Sequence, residues 1–208
     1  VWVGMAKETA HQLGTPLSSL MAWMEILKDS GVPESTMIEL NKDVERLRII
    51  TERFSKIGAD AKLQLTEVGA ATENVLSYLR PRISKKVELK ITDDEKLKAM
   101  INAPLFEWVI ENIVKNAVDA MEGEGKITFL IHKKGKRILL DITDTGKGIA
   151  PGKLKTIFQP GFTTKKRGWG LGLTLVKRIV ENYHNGRIYV LRSEVEKGTT
   201  FRVELRRR

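Results

Sequence analysis

Between residues 6 and 57 the apolar positions recur in two runs at steps of four and three. Ala6, Ala10, Leu13, Leu17, Leu20, Met24 and Leu27 form one stripe, and Met37, Leu40, Val44, Leu47, Ile50, Phe54 and Ile57 form a second. That spacing is the one a sustained helical seam requires. Gly31-Val32-Pro33 separates the two runs, and Glu34, Ser35, Glu39 and Asp43 supply the acidic start that a helix favours. The pattern predicts a helical hairpin. Its second arm interleaves the stripe with Lys42, Asp43, Glu45, Arg46, Arg48, Glu52 and Arg53, as a helix with one wet face does. The first arm carries no charge from Thr9 to Met24, while Met21, Trp23 and Ile26 add apolar surface off the stripe. Two helices cannot bury that much, so a homodimer is expected, in which two hairpins form a four-helix bundle.

From Leu63 the period shortens to the alternation of strands: Leu63–Leu65, Val87–Ile91, Lys126–Ile131, Arg137–Ile142, Arg187–Leu191 and Thr200–Leu205. Helical stretches are expected between them at Val68–Ile83, Pro104–Met121 and Gly172–Asn182, the second opened by Asn102-Ala103-Pro104 with proline in the first turn. The fold class is therefore α+β: a helical hairpin, then an α/β sandwich with helices on one face of a mixed sheet. The expected domains are 1–59 and 60–208, and no internal repeat or low-complexity tract interrupts them.

Composition narrows the chemistry. The absence of cysteine among 208 residues removes disulfide scaffolds, zinc fingers, iron–sulfur proteins and thiol enzymes. The uncharged run at Thr9–Met24 holds His11, Gln12, Thr15, Pro16 and two serines, which suits no bilayer span. A cytoplasmic location is expected, with any sensor or membrane anchor upstream of a chain that starts in mid-helix. The net charge of +10 invites nucleic acid, an acidic partner or a phosphate ligand. It divides unevenly, at −2 over residues 1–60 and +12 over residues 61–208. An acidic hairpin whose apolar arm has no basic stripe argues against a coiled-coil nucleic-acid binder.

Three polar clusters carry the candidate chemistry. On the helix expected at 104–121, Asn112, Asn116 and Asp119 share one face while Ile113, Val114, Ala117 and Val118 cover the buried side. Amide oxygens and N–H groups suit phosphate and a hard cation such as Mg²⁺. Asp144-Thr-Gly146-Lys-Gly148-Ile149 follows an apolar strand, where a carboxylate can hold a purine amino group and glycine backbone can approach the ring. Gly168-Trp-Gly170-Leu-Gly172-Leu173 opens the last helix and offers unpaired N–H groups to a phosphate. Neither a Rossmann fingerprint nor a Walker loop is present.

In this order the clusters resemble the N, G1 and G2 boxes of the ATP-binding fold shared by gyrase, MutL, a major heat-shock chaperone and the sensor histidine kinases. Phe158-Gln-Pro-Gly-Phe162-Thr-Thr-Lys165 resembles the F box and short ATP lid of the kinases. Ala10-His11-Gln12-Leu13-Gly14-Thr15-Pro16-Leu17 is similar to their H box, which the other branches lack. The resemblance covers nearly the whole chain. It implies that His11 accepts the γ-phosphoryl group of ATP and passes it to an aspartate of a response-regulator receiver domain. It also implies Asn116 as the Mg²⁺ ligand and Asn112 and Lys115 at the phosphates, with Asp119 at the same site. Asp144 would read the adenine amino group, with Gly146, Gly148, Ile149 and Thr200 around it. Phe162, Thr163, Thr164, Lys165, Gly168, Gly170, Leu171, Gly172 and Leu173 would surround the phosphates, and Lys166 and Arg167 stand beside them or belong to a solvated loop.

Two departures from the family pattern stand out. Gln12 replaces the acid usual after the histidine; an amide can fix an imidazole tautomer but cannot accept its proton. Phosphotransfer then relies on neutral His11 near pH 7 or on a carboxylate such as Glu8. Gln12 is also the one feature that favours a scaffold binding nucleotide without transfer. Asp119 stands where a basic residue is commoner. Thr15 matches the position implicated in dephosphorylating the regulator, and a helix threonine bonding back to the preceding turn is its alternative. His132 and His184 have no such setting and read as structural.

Overall fold

The computed structural model describes residues 2–58, 62–93, 95–163, 170 and 172–207, and within its helices the side chains of 2–13, 42, 46, 49, 50 and 52–58 lie outside the description. The chain forms two compact units, Val1–Ala61 and Lys62–Arg208.

The first unit is a hairpin of α1 (Trp2–Asp29) and α2 (Glu34–Gly58). Gly31 takes a φ of +77° at the turn, and the Pro33 carbonyl accepts the amides of Thr36 and Met37 to start α2. Pro16 lies inside α1 and removes one backbone donor from it. Leu17 and Met24 of α1 and Met37 of α2 are buried, whereas Leu20, Met21, Trp23, Ile26, Ile38, Leu40 and Leu47 remain exposed, Trp23 at 59%. A groove of about 440 Å³ lies among Met21, Met24 and Glu25 on one arm and Asn41, Val44 and Glu45 on the other. One hairpin thus covers only part of its stripes. Among the described residues, no helix is long and apolar enough to cross a membrane.

The second unit contains β1 (Gln64–Glu67), α3 (Val68–Leu79), β2 (Val87–Thr92), β3 (Lys98–Ile101), α4 (Ala103–Ala120), β4 (Gly125–Lys134), β5 (Arg137–Asp144), α5 (Gly172–Arg178), β6 (Arg187–Glu194) and β7 (Gly198–Arg206). β1 and β3 pair antiparallel. The main sheet has the order β2-β4-β5-β7-β6, with β2 parallel to β4 and the remaining neighbours antiparallel, a mixed sheet as expected. Strand alternation sends Ile127, Phe129, Ile131, Ile138, Leu140, Ile142, Phe201, Val203 and Leu205 into the core with Val75, Leu76, Phe106, Ile110, Ile113 and Val176 from the helices. This is the α+β architecture expected of the second half.

Local chemistry sets the helix ends. Asn102 caps α4, its Oδ1 accepting the Leu105 amide at 3.1 Å, and Pro104 fills the first turn. Pro81 ends α3 at Leu79, earlier than its apolar period suggested, and turns Arg80–Arg82 into a 3₁₀ turn. α5 stops as an α-helix at Arg178 and continues as a π turn over Ile179–Tyr183. β3 was not among the expected strands, and β1 starts one residue later and ends two residues beyond the expected Leu63–Leu65.

Candidate functional site

The site is built where β5 ends and β7 begins, beside the C-terminal end of α4. Asp144 closes β5 and is only 5% exposed. Its Oδ1 accepts two backbone amides, Gly146 at 2.8 Å and Thr199 at 3.3 Å. Burial pushes the Asp144 carboxyl above its ordinary value, and those two amides pull in the opposite direction. A carboxylate held this way is an acceptor fixed in orientation.

The loop after it is fixed at both ends. The Lys147 amide donates to the Ala120 carbonyl at 3.0 Å, tying the loop to the last turn of α4, and the Glu196 amide donates back to the Lys147 carbonyl at 2.9 Å. Gly148 has a φ of +69°, and a Cβ there would stand 2.1 Å from the Glu194 carbonyl oxygen. Only glycine meets both conditions.

On α4, Asn112 donates its Nδ2 to the Trp108 carbonyl at 2.9 Å. Its Oδ1 is directed at the start of α5, 3.1 Å from where a Cβ on Gly172 would be. The first and third polar clusters are therefore neighbours in space. Asn116, one turn on, is half-buried, and Asp119 is exposed. Lys115 is exposed and pairs with Glu111 at 2.5 Å. Amide and carboxylate oxygens are the donors Mg²⁺ takes, one or two from protein with phosphate and water completing its shell, so this end of α4 fits that ion. Among the described residues no group of three or more histidines or acids could hold a metal without such help.

The segment before α5 is anchored at its base. The Gly161 amide donates to the Gly170 carbonyl at 3.1 Å, and a Cβ on Gly170, whose φ is +65°, would fall 2.4 Å from the Gly161 carbonyl carbon. The Thr174 hydroxyl donates to the Phe158 carbonyl at 3.1 Å, and Phe158 meets Phe201 edge-on at 6.3 Å. Phe162 and Leu173 are half-buried and Thr163 is exposed. Thr164, Lys165, Lys166, Arg167, Gly168 and Leu171 lie outside the described residues.

One expected residue is placed elsewhere. Thr200 was expected beside the adenine end, but it lies on the opposite face of the sheet, where its hydroxyl bonds Thr143 at 2.9 Å and accepts Arg192 Nε at 3.1 Å. Thr199 occupies the inner position opposite Asp144. The signal was available in the alternation: Phe201, Val203 and Leu205 are apolar and inward, so Thr199 is inward too and Thr200 is not.

His11, Gln12 and Thr15 lie together on α1, with Thr15 exposed one turn after His11. The side chains of His11 and Gln12 lie outside the described residues. His184, read as structural, is buried, its Nε2 accepting the Asn102 amide at 3.1 Å and its Nδ1 donating to the Ile179 carbonyl at 3.0 Å.

A family model described as histidine kinase-, DNA gyrase B- and HSP90-like ATPase matches residues 102–208. The sensor histidine kinase ZraS of Salmonella typhi is 31% identical over 210 residues, which cover 97% of this chain and 45% of that one. The chain thus spans about half the length of such relatives. Full-length ShkA in complex with AMPPNP has a similar fold, with a TM-score of 0.80, 21% identity, and coverage of 97% of this chain and 45% of that chain. Histidine kinase ThkA in complex with the response regulator protein TrrA is similar at a TM-score of 0.65 and 21% identity, covering 99% of this chain and 61% of that one.

Proposed function

Because the chain belongs to the histidine kinase-, DNA gyrase B- and HSP90-like ATPase family, we propose that it is the ATP-dependent catalytic core of a sensor histidine kinase. The observation that carries this reading is Asp144, a buried carboxylate whose two protein bonds both end on Oδ1. Oδ2 is then left to accept from the 6-amino group of adenine. Asn112 and the start of α5 lie at the phosphate end, and Mg²⁺ on Asn116 would neutralise charge on the phosphate oxygens. The domains are a phosphoacceptor hairpin at 1–59 and a nucleotide-binding unit at 60–208.

In the proposed step one imidazole nitrogen of His11 forms a bond to the γ-phosphorus as the bond to ADP breaks. Catalysis is mainly positioning and charge neutralisation. The Gln12 amide orients the imidazole without taking its proton, so the neutral imidazole is the reactive form. The phosphoryl group then passes to an aspartate of a response-regulator receiver domain, and the Thr15 hydroxyl orients the water that later hydrolyses that phosphoaspartate to aspartate and inorganic phosphate. Likeness to ZraS and to the ThkA assembly supports these steps.

The hairpin pairs with a second copy in a four-helix bundle. The support is the exposed apolar set on α1 and α2, which a second hairpin would cover.

Incubation with Mg²⁺ and γ-labelled ATP tests the reading. Acid-labile, alkali-stable label is expected on the wild-type chain and none on His11→Ala. An unlabelled wild type refutes the enzyme, and label retained on His11→Ala refutes the acceptor.

A further inference from the structure

β6 changes face in the middle of its length. Ile188 pairs with Val203 and Val190 with Phe201, both pairs directed into the core, but the next paired residues are Arg192 with Thr200 and Ser193 with Thr199. Leu191 is the extra residue of a bulge. Regular pairing would place Arg192 inward, two residues after Val190, and would turn Ser193 to the far face. One inserted residue exchanges the two. Arg192 now donates its Nε to Thr200 on the far side, and the Ser193 hydroxyl is set beside the Asp144 end of the pocket.

That hydroxyl has three neighbours. It accepts the Ile149 amide at 2.8 Å, faces the Gly198 carbonyl at 3.3 Å, and meets Thr199 Oγ1 at 2.9 Å. A serine offers one hydrogen and two lone pairs. One arrangement satisfies all three: the Ile149 amide on one lone pair, the Ser193 hydrogen on the Gly198 carbonyl, and the Thr199 hydrogen on the second lone pair. Thr199 then keeps only lone pairs for anything else, while its backbone amide is spent on Asp144 Oδ1. Thr199 and Asp144 therefore present acceptors alone. Adenine carries a donor, its 6-amino group, where guanine carries an acceptor, its 6-oxo group.

We propose that Ser193, placed by the β6 bulge, is a positioning residue that makes this end of the pocket select 6-amino over 6-oxo purine nucleotides, by holding the Thr199 hydrogen and the Ile149 amide. The proposal rests on the reading of the pocket as an ATP site.

Competition of ADP and GDP against a fluorescent ADP analogue, on the whole chain with Mg²⁺, tests it. The wild type is expected to prefer ADP. Ser193→Ala should weaken ADP about tenfold, the worth of one lost bond of this kind, and narrow the ADP:GDP ratio in step. Ser193→Thr keeps the hydroxyl and should restore the ratio. Ser193→Cys, a weak acceptor of similar size, should fall between the two and serves if the alanine variant does not fold. In a Thr199→Val background the Ser193→Ala loss should shrink, because Ser193 acts through that hydroxyl. Equal weakening of ADP and GDP, or a lower thermal midpoint with an unchanged ratio, overturns the proposal and leaves the ATP reading standing. A wild type that binds neither nucleotide overturns both.

Discussion

Replacing Asp144 with asparagine separates what this residue does for the fold from what it does for a ligand. The carboxyl is buried, and burial raises it from the ordinary 3.8. A group whose folded pKa exceeds its unfolded one gives its full stability below the unfolded value and loses it as pH rises through the folded value. Asp144 therefore gives up stability in the empty domain as pH rises. Asparagine keeps an Oδ1 for the Gly146 and Thr199 amides but carries no charge, so the ligand-free thermal midpoint should rise. The same change puts an N–H₂ donor where, in the proposed site, the adenine amino group would donate. Losing a bond to a charged acceptor costs about 1.5–3 kcal/mol, or about 10–150-fold in ADP affinity. Saturating ligand should then reverse the order. At a hundredfold excess over Kd the wild type gains about 2.7 kcal/mol, and the variant at the same concentration gains much less. Calorimetric titration with ADP and thermal melts with and without it measure both arms. ADP affinity within threefold of wild type, or a lower ligand-free midpoint, would refute the assignment.

Other consequences follow from single contacts. Burial holds the His184 imidazole below 6.5, so its contribution is present above that pH and is lost as the solution is acidified, by at most about 1.4 kcal/mol per pH unit. Urea midpoints at pH 7.5 and 5.5 should differ less for His184→Gln than for wild type, and equal differences would sink the idea. Gly148→Ala combines a positive φ with a 2.1 Å approach to the Glu194 carbonyl. The strain of about 1–3 kcal/mol should lower the melting midpoint by about 2–12 °C, and an unshifted midpoint would contradict it. Trp23→Glu places a charge in the exposed apolar set of α1 and should yield monomers by sedimentation velocity; persistence of a dimer would exclude that face as the contact.

Much of this was legible from period alone. The two helical stripes, the proline start of α4 and the glycine clusters are local, and each is set by residues within a turn or two of one another. What escaped depends on pairing. Lys98–Ile101 is a four-residue strand whose partner, β1, lies more than thirty residues earlier, and nothing in so short a stretch distinguishes it from a loop. The position of Ser193 depends on a bulge, and a bulge appears only when the partner strand is known. Thr199 is the opposite case, because its alternation with Phe201 was in plain view. The hairpin stripes were read correctly as apolar, yet Leu20, Leu40 and Leu47 are exposed in the single chain, since a stripe reports what must be covered and not by what.

The bond between Gly161 and Gly170 closes the chain on itself across an interval of eight residues. Ring perimeter is a soft variable: lengthening it from eight residues to twelve adds only about 0.4 kcal/mol of closure entropy. The same clasp can therefore carry loops of very different length and composition. The interval between the two glycines is in that sense an exchangeable cassette, while the floor around Asp144, held by its own backbone bonds, keeps its shape.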